Sequence, residues 1–122
     1  AVAATPPSFS AGETASPIDL EQLRLFTDGD KEEERSLLEL FLMQADEMLS
    51  VLHNGVEHND DAIWKSAAHR FKGASGNLGA TSLHHLCKRA EDHHMDSTDR
   101  KANMLDLMRK EVEKIRLFAK TY

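Results

Sequence analysis

Several features are scarce or missing in this sequence, and each absence narrows the classes of protein it can represent. The 122 residues include one cysteine, Cys87, so an intrachain disulfide cannot form and a reducing compartment is expected. No apolar run approaches the roughly 18 residues of a membrane span, and the first residues lack the charged start of a signal peptide. We therefore expect a cytoplasmic location and no direct membrane contact.

Positive charge is in deficit as well. The chain carries 15 Lys and Arg residues against 21 Asp and Glu residues, which gives a formal net charge of −6. Nucleic-acid backbones and anionic membranes are bound by clustered Lys and Arg in excess, so we expect no nucleic-acid binding. The length suits a single hydrophobic core, and we do not expect a two-domain enzyme with its own nucleotide fold.

Proline occurs only near the start of the chain, and its distribution divides the sequence in two. Residues 1–17 are rich in Ala, Ser, Thr, Gly and Pro without periodicity, which predicts a flexible linker or tail. No Pro follows Pro17, so long helices are allowed in residues 18–122, which we expect to form one all-α domain. Because the chain does not begin with Met, we expect a processed product or a part of a longer protein.

Capping residues and hydrophobic periodicity predict one short helix and four longer ones. The short helix, LEQLRLFT, is expected to end at Asp28–Gly29, and the second near Asn54–Gly55. The expected N-caps, in chain order, are Asp19, Asp30, Asp60 or Asp61, Thr81 or Ser82, and Ser97. Amphipathic helices joined by short loops predict an antiparallel four-helix bundle with a short N-terminal cap helix. The acidic run from Asp30 to Glu34 is expected to be a solvated first turn.

The third predicted helix carries a histidine, His69, opposite its apolar face. At about 100° per residue, that face comprises Ile63, Trp64, Ala67, Ala68, Phe71, Ala74 and Leu78. The neighbours of His69 on the same wheel are basic or very small: Lys65, Ser66, Lys72, Gly73 and Gly76. Each glycine costs the helix about 0.8–1 kcal/mol relative to alanine, which favours a role in keeping the imidazole uncrowded. An exposed neutral imidazole can accept a phosphoryl group, and the Lys72 ammonium can balance the added charge.

The segment from His69 to Ala80, HRFKGASGNLGA, resembles the signature of histidine-containing phosphotransfer (HPt) domains, H-x-x-K-G-x-S-x-x-x-G-A. The resemblance covers residues 18–122, with further matches at Phe41, Leu52, Ala68, Leu83, Cys87 and Glu91. It implies that His69 is phosphorylated, that Lys72 stabilises the phosphohistidine, and that Gly73 keeps the approach open. The family often has Ser-Ser or Ala-Ser after Lys-Gly, whereas Gly76 here adds a flexible position.

The same resemblance implies a phosphorelay intermediate that exchanges a phosphoryl group with the aspartate of a response-regulator receiver domain, in either direction. HPt domains have no ATP site and magnesium belongs to the receiver, so we expect a monomeric phosphocarrier that is not an enzyme and has no cofactor of its own. The linker-like start favours the C-terminal domain of a hybrid sensor histidine kinase, although a free-standing protein stays open. The docking surface is expected to include Lys65, Ser66, Gly76, Leu20, Leu23 and Phe26.

Two other functions and one other site are alternatives to this interpretation. A helical interaction module would bind a signalling partner without phosphoryl chemistry, with His69 incidental. The dimerisation helices of histidine kinases typically have an acid directly after the histidine and a proline soon afterwards, whereas Arg70 follows His69 here. A metal site at His84, His85 and Cys87 lacks the ligand spacing that zinc requires, so we expect no metal site.

Overall fold

A computed structural model describes residues 17–122, which contain five helices and no strand. Except for Pro17, the predicted tail lies outside the described residues. The helices, in chain order, are α1 (Leu20–Thr27), α2 (Lys31–Glu57), α3 (Asp61–Leu78), α4 (Thr81–Asp92) and α5 (Thr98–Thr121). The all-α prediction is confirmed.

Helices α2 to α5 form the predicted antiparallel four-helix bundle. Each helix packs against two neighbours in the cyclic order α2, α3, α4, α5, because the short connections reverse the chain direction at each step. The short helix α1 lies against α2 and α3. The Asp19 N–H donates to the Gly79 carbonyl at 2.8 Å, so the start of α1 is fixed at the C-terminal end of α3.

Side-chain caps begin the helices at four of the expected positions. The carboxylates of Asp19, Asp30 and Asp60 and the hydroxyl of Ser97 accept hydrogen bonds from first-turn N–H groups. The cap predicted at Thr81 or Ser82 is wrong, because Ala80 occupies the N-cap position of α4 and makes no side-chain cap hydrogen bond. Ala80 is fully buried and its N–H donates to the Ser75 carbonyl, so the tight turn leaves no place for a polar cap.

The core is built from one apolar stripe of each bundle helix. Trp64 is almost fully buried, and its Nε1–H donates to the Ala90 carbonyl at 2.8 Å, which ties α3 to α4. The expected core position Ile63 is wrong, since this side chain is 38% exposed while Trp64 fills the interior at that turn. Helix α2 extends past Gly55 to Glu57. Gly55 is helical, and its lack of a side chain allows close packing on the backbone of Trp64.

Two charged side chains are buried, although charged residues are usually solvated. Glu34 is fully buried, and the Thr27 hydroxyl donates to its Oε2 at 2.8 Å. The predicted solvated turn is therefore wrong at Glu34, which joins α2 to α1. Lys101 is ion-paired with Asp61, and its ammonium lies 5.7 Å from the centre of the Trp64 ring.

Candidate functional site

His69 lies near the middle of α3 on the exposed side of the helix. Its neighbours Ala67, Ala68 and Phe71 are buried, so the backbone that carries His69 is fixed against the core. The His69 side chain is nevertheless 65% exposed. A large partner can therefore reach the imidazole while the bundle holds its position.

A carboxylate from α4 contacts both His69 and Lys72. Glu91 Oε2 lies 2.8 Å from His69 Nδ1, and Glu91 Oε1 lies 2.7 Å from Lys72 Nζ. The Lys72 ammonium, assisted by His69, holds the pKa of the Glu91 carboxyl below its ordinary value, although burial acts in the opposite direction. Glu91 is therefore a charged acceptor near neutral pH.

The contact with Glu91 determines which nitrogen of His69 is free to react. A carboxylate can only accept, so the short contact between Oε2 and Nδ1 places a proton on Nδ1. In a neutral imidazole the lone pair is then on Nε2. Within residues 17–122, Nε2 of His69 has no hydrogen-bond partner, so this nitrogen is available as the nucleophile.

The two glycines after His69 have different surroundings. A Cβ atom on Gly73 would meet nothing within 4 Å, so this position leaves the surface beside the imidazole open. A Cβ on Gly76 would lie 2.9 Å from His84 Nδ1, and the Gln22 side chain donates to the Gly76 carbonyl. Gly76 therefore allows α1 and α4 to approach α3, and the prediction that it belongs to an open partner surface is wrong.

An apolar groove of about 780 Å³ lies beside His69 between α1, α2 and α3. Gly73 and Arg70 line the groove on the side of α3, while Phe26 and Leu40 line it from α1 and α2. Phe26 is 62% exposed and Leu40 is 50% exposed, and both line the same groove, as in the contiguous apolar patches that mark interaction sites. The groove is thus an exposed apolar surface that begins within one turn of the imidazole.

The structure places some of the predicted partner-contact side chains at the surface and others in the interior. Phe26, Lys65 and Ser66 are exposed, and Leu20 is half-buried. Leu23 is fully buried, so its prediction as a contact residue is wrong and it supports the groove from beneath.

Three functional candidates were missed by the sequence interpretation: Leu40, Arg70 and the role of Glu91 as a bridge. The sequence could have indicated Leu40 as a surface contact residue, because it is apolar but lies outside the buried stripe of its helix. The contact of Glu91 with His69 spans 22 residues of sequence and depends on how α3 and α4 align, for which the sequence has no comparable signal.

The remaining histidines and the cysteine do not assemble around a common point. In the described part of the chain, no group of at least three His, Cys, Asp or Glu side chains is placed to hold a metal ion. Cys87 is buried, and burial raises the pKa of its thiol to about 12. Among the five described helices, none combines the length and apolar character required to span a membrane.

The sequence model of the Hpt domain matches residues 36–117, a segment that includes His69, Lys72 and Glu91. The chain belongs to the Hpt domain family. Membership implies phosphotransfer in two-component signalling, and Hpt domains interact with receiver domains and hybrid kinases. The match begins within α2, so helix α1 and its side of the groove lie outside it.

Two solved structures share this fold. The histidine-containing phosphotransfer protein B (HptB) of Pseudomonas aeruginosa PAO1 is 28% identical with a TM-score of 0.78, and the alignment covers 88% of this chain and 94% of that chain. The HPT domain of the Hpt sensor hybrid histidine kinase from Shewanella is 17% identical with a TM-score of 0.70, covering 87% and 92%, and shows the fold alone. A comparison with curated protein sequences gives no match.

Proposed function

We propose that this protein carries a phosphoryl group on Nε2 of His69 and exchanges it with the aspartate of a response-regulator receiver domain, in either direction. The observation that carries the proposal is the state of the imidazole: exposed, bound at Nδ1 by Glu91, and without a partner at Nε2 among the described residues. Membership of the Hpt family supports the same assignment.

The transfer step follows from the chemistry of the two groups. The Nε2 lone pair of His69 attacks the phosphorus of the aspartyl phosphate, and the bond from phosphorus to the receiver carboxylate breaks. The carboxylate leaves with the bonding electrons, and the ring retains its proton on Nδ1. Lys72 lies three residues after His69 on the same helix, where its ammonium can balance the negative phosphoryl oxygens.

The residues around His69 do not fit a resident magnesium ion. Magnesium prefers several oxygen ligands. Glu91 is the one carboxylate in contact with His69 in the described part of the chain, and its two oxygens are engaged by His69 and Lys72. We therefore assign magnesium to the receiver, and this chain has no cofactor of its own in the proposal.

The phosphoryl donor is a protein rather than a nucleotide in this proposal. The sequence contains no G-x-x-x-x-G-K phosphate loop, which supports a phosphocarrier without kinase activity. We place the carrier in the cytoplasm as a monomer, serving a hybrid sensor histidine kinase either in cis or as a free-standing protein.

The apolar groove beside His69 is proposed as the receiver docking surface. Phe26 and Leu40 supply exposed apolar area, Arg70 and Glu33 supply polar groups, and Gly73 connects the groove to the imidazole. A modest apolar patch with polar surroundings is typical of transient signalling contacts. Lys65 and Ser66, one turn before His69, extend the same exposed surface along α3.

The test is phosphoryl transfer from a phosphorylated receiver to the purified protein. Wild type should acquire an acid-labile, base-stable phosphohistidine, and His69→Gln should acquire none. The matched control His85→Gln, at an exposed position on α4, should acquire as much phosphohistidine as wild type. Undiminished labelling of His69→Gln, or no labelling of wild type by a panel of receivers, would overturn the proposal. Receiver binding by His69→Ala with no labelling of wild type would favour the interaction module instead.

A further inference from the structure

A second cavity lies between α3, α4 and α5, and its lining shares no residue with the apolar groove beside His69. Its volume of about 300 Å³ is at the lower end of the range for small-molecule sites. We propose that this cavity binds a small organic anion, in which a carboxylate or phosphate is attached to a short apolar group. This inference does not depend on the proposed function of His69.

Two arginines supply the positive charge of the cavity. Arg89 lies in the last turn of α4 and Arg100 in the first turn of α5, and both side chains are exposed. In the described part of the chain, neither guanidinium group has an ion-pair or hydrogen-bond partner. A guanidinium group presents planar donors that match the oxygens of a carboxylate or phosphate. In a chain of net charge −6, the pair is a local excess of positive charge with its donors free.

The other charged groups of the cavity leave this excess in place. Lys101 also lines the cavity, but its ammonium is ion-paired with Asp61 and adds little. Among the described residues of the lining, Asp96 is the one acid, and its Oδ2 lies 3.8 Å from Nδ1 of His93. The lining therefore has two unpaired cations against one carboxylate that is already next to a histidine, which favours an anionic ligand over a cationic one.

The apolar part of the ligand is assigned to the wall formed by α5. Arg100, Met104 and Leu107 are four and three residues apart, so they lie in a row along one side of the helix. Met104 is half-buried and Leu107 is 45% exposed. The row runs from a cation to apolar surface over roughly 10 Å. An anion with an apolar group covers both ends of it, whereas an inorganic anion leaves the apolar end in water.

Helix α4 separates this cavity from the candidate phosphorylation site. At about 100° per residue, Arg89 and His93 are each about 160° from Glu91 around the helix axis. Glu91 contacts His69, so the two arginine-side residues face away from the imidazole. A ligand in the cavity therefore leaves both His69 and the groove beside it accessible to a receiver.

Heteronuclear NMR of the full chain, titrated with benzoate at constant ionic strength, tests the proposal. Trp64 lines the cavity and is the only tryptophan of the sequence, so its indole N–H gives a single signal at the site. Benzoate should shift this signal and the amide signals of Arg89 and Arg100, with a Kd on the order of 1 mM for so small a ligand. The amide signals of Gly73 and Leu40, in and beside the groove, should stay unchanged. Shifts confined to the groove, or no shift of the Trp64 signal at about 10 mM benzoate, would overturn the proposal.

Matched probes test the charge and the apolar group separately. Benzamide has the same ring without the charge and should bind at least about tenfold more weakly than benzoate. Phenyl phosphate should bind about as well as benzoate, and inorganic phosphate at least about tenfold more weakly than phenyl phosphate. Equal binding of benzamide and benzoate would overturn the anionic class of ligand. Equal binding of phosphate and phenyl phosphate would overturn the organic class.

Three variants assign the binding to the two arginines. Arg89→Gln and Arg100→Gln should each raise the Kd for benzoate by about tenfold, since each removes one charge-assisted contact. The matched control is Arg109→Gln, which changes an exposed arginine of α5 outside the cavity and should bind benzoate as wild type does. Thermal unfolding verifies that each variant is folded. The same Kd for all three variants would overturn the assignment of the anion to this cavity.

Discussion

The two flanks of helix α3 differ in how they surround His69. On the flank that faces α4, Glu91 binds His69 and Lys72, and His84 lies against Gly76. On the flank that faces α1 and α2, Gly73 meets open space and Phe26 and Leu40 leave an apolar groove uncovered. One flank is closed by polar contacts within the chain, and the other is open.

This difference separates two tasks that a phosphocarrier must combine. In the proposed function, the flank that faces α4 holds His69 and Lys72 through contacts of defined distance. The open flank offers area to a partner that leaves again after each transfer. Changes on the closed flank should alter the rate within the complex, whereas changes on the open flank should alter the receiver concentration needed for half-maximal rate.

The largest effect is expected from closing the open flank at Gly73. Gly73→Gln should lower phosphoryl transfer by about 100-fold or more, because a side chain there would displace the receiver from the imidazole. The fold should be unaffected, since a Cβ at this position meets nothing within 4 Å. The measurement is the transfer rate together with thermal unfolding, and the control is Ala102→Gln, which adds the same side chain at an exposed position of α5 outside the groove. A Gly73→Gln variant with normal transfer would show that the receiver does not approach over this flank.

A second prediction compares one cation from each flank. Lys72→Ala should reduce the maximal transfer rate by about tenfold to 50-fold, in line with the loss of one charge-assisted contact to the phosphoryl group. Arg70 lines the groove, so Arg70→Ala should raise the receiver concentration for half-maximal rate and leave the maximal rate unchanged. Stopped-flow transfer measured across receiver concentrations separates the two quantities. If both variants change the same quantity, the division of tasks between the flanks is wrong.

The groove itself gives a third, smaller effect. Leu40 is half-exposed on α2, and Leu40→Ala should weaken receiver binding by about tenfold, as for an apolar contact residue at an interface. Met43 is on the same helix and 70% exposed but does not line the groove, so Met43→Ala is the matched control. Isothermal titration with an unphosphorylated receiver measures both affinities. Equal affinities for the two variants would place the docking surface elsewhere.

Much of the fold could be predicted from the sequence because it depends on local patterns. The caps at Asp19, Asp30 and Ser97 and the apolar stripes involve residues within a few positions of one another. The burial of Glu34 and Lys101 could not be predicted, because it depends on partners in other helices. A charged residue in a helical pattern is usually solvated, and the sequence alone does not identify the exceptions.

The candidate site also has a part that could be predicted from local sequence patterns and a part that depends on contacts between helices. His69, Lys72 and Gly73 lie on one helix, so the helical period brings them together on one surface. Glu91 reaches His69 only because α3 and α4 are aligned by a tight turn at Gly79, whose φ of 87° is in the left-handed region. The same helical period could not distinguish Gly73 from Gly76, since the difference is made by His84 on the other helix.

The smallest predicted effect concerns that pair of glycines and the free energy of unfolding. Gly73→Ala should stabilise the protein by up to about 1 kcal/mol, because alanine favours the helix and its methyl group meets open space. Gly76→Ala has the same helical gain, but its Cβ would lie 2.9 Å from His84 Nδ1, which is 2.9 Å from the Lys72 carbonyl oxygen. Displacing His84 should remove that hydrogen bond, worth about 1 kcal/mol, and cancel the gain. Urea unfolding measures the difference, and equal stabilisation by both changes would mean that His84 moves aside without cost and that the flank facing α4 is not tightly closed.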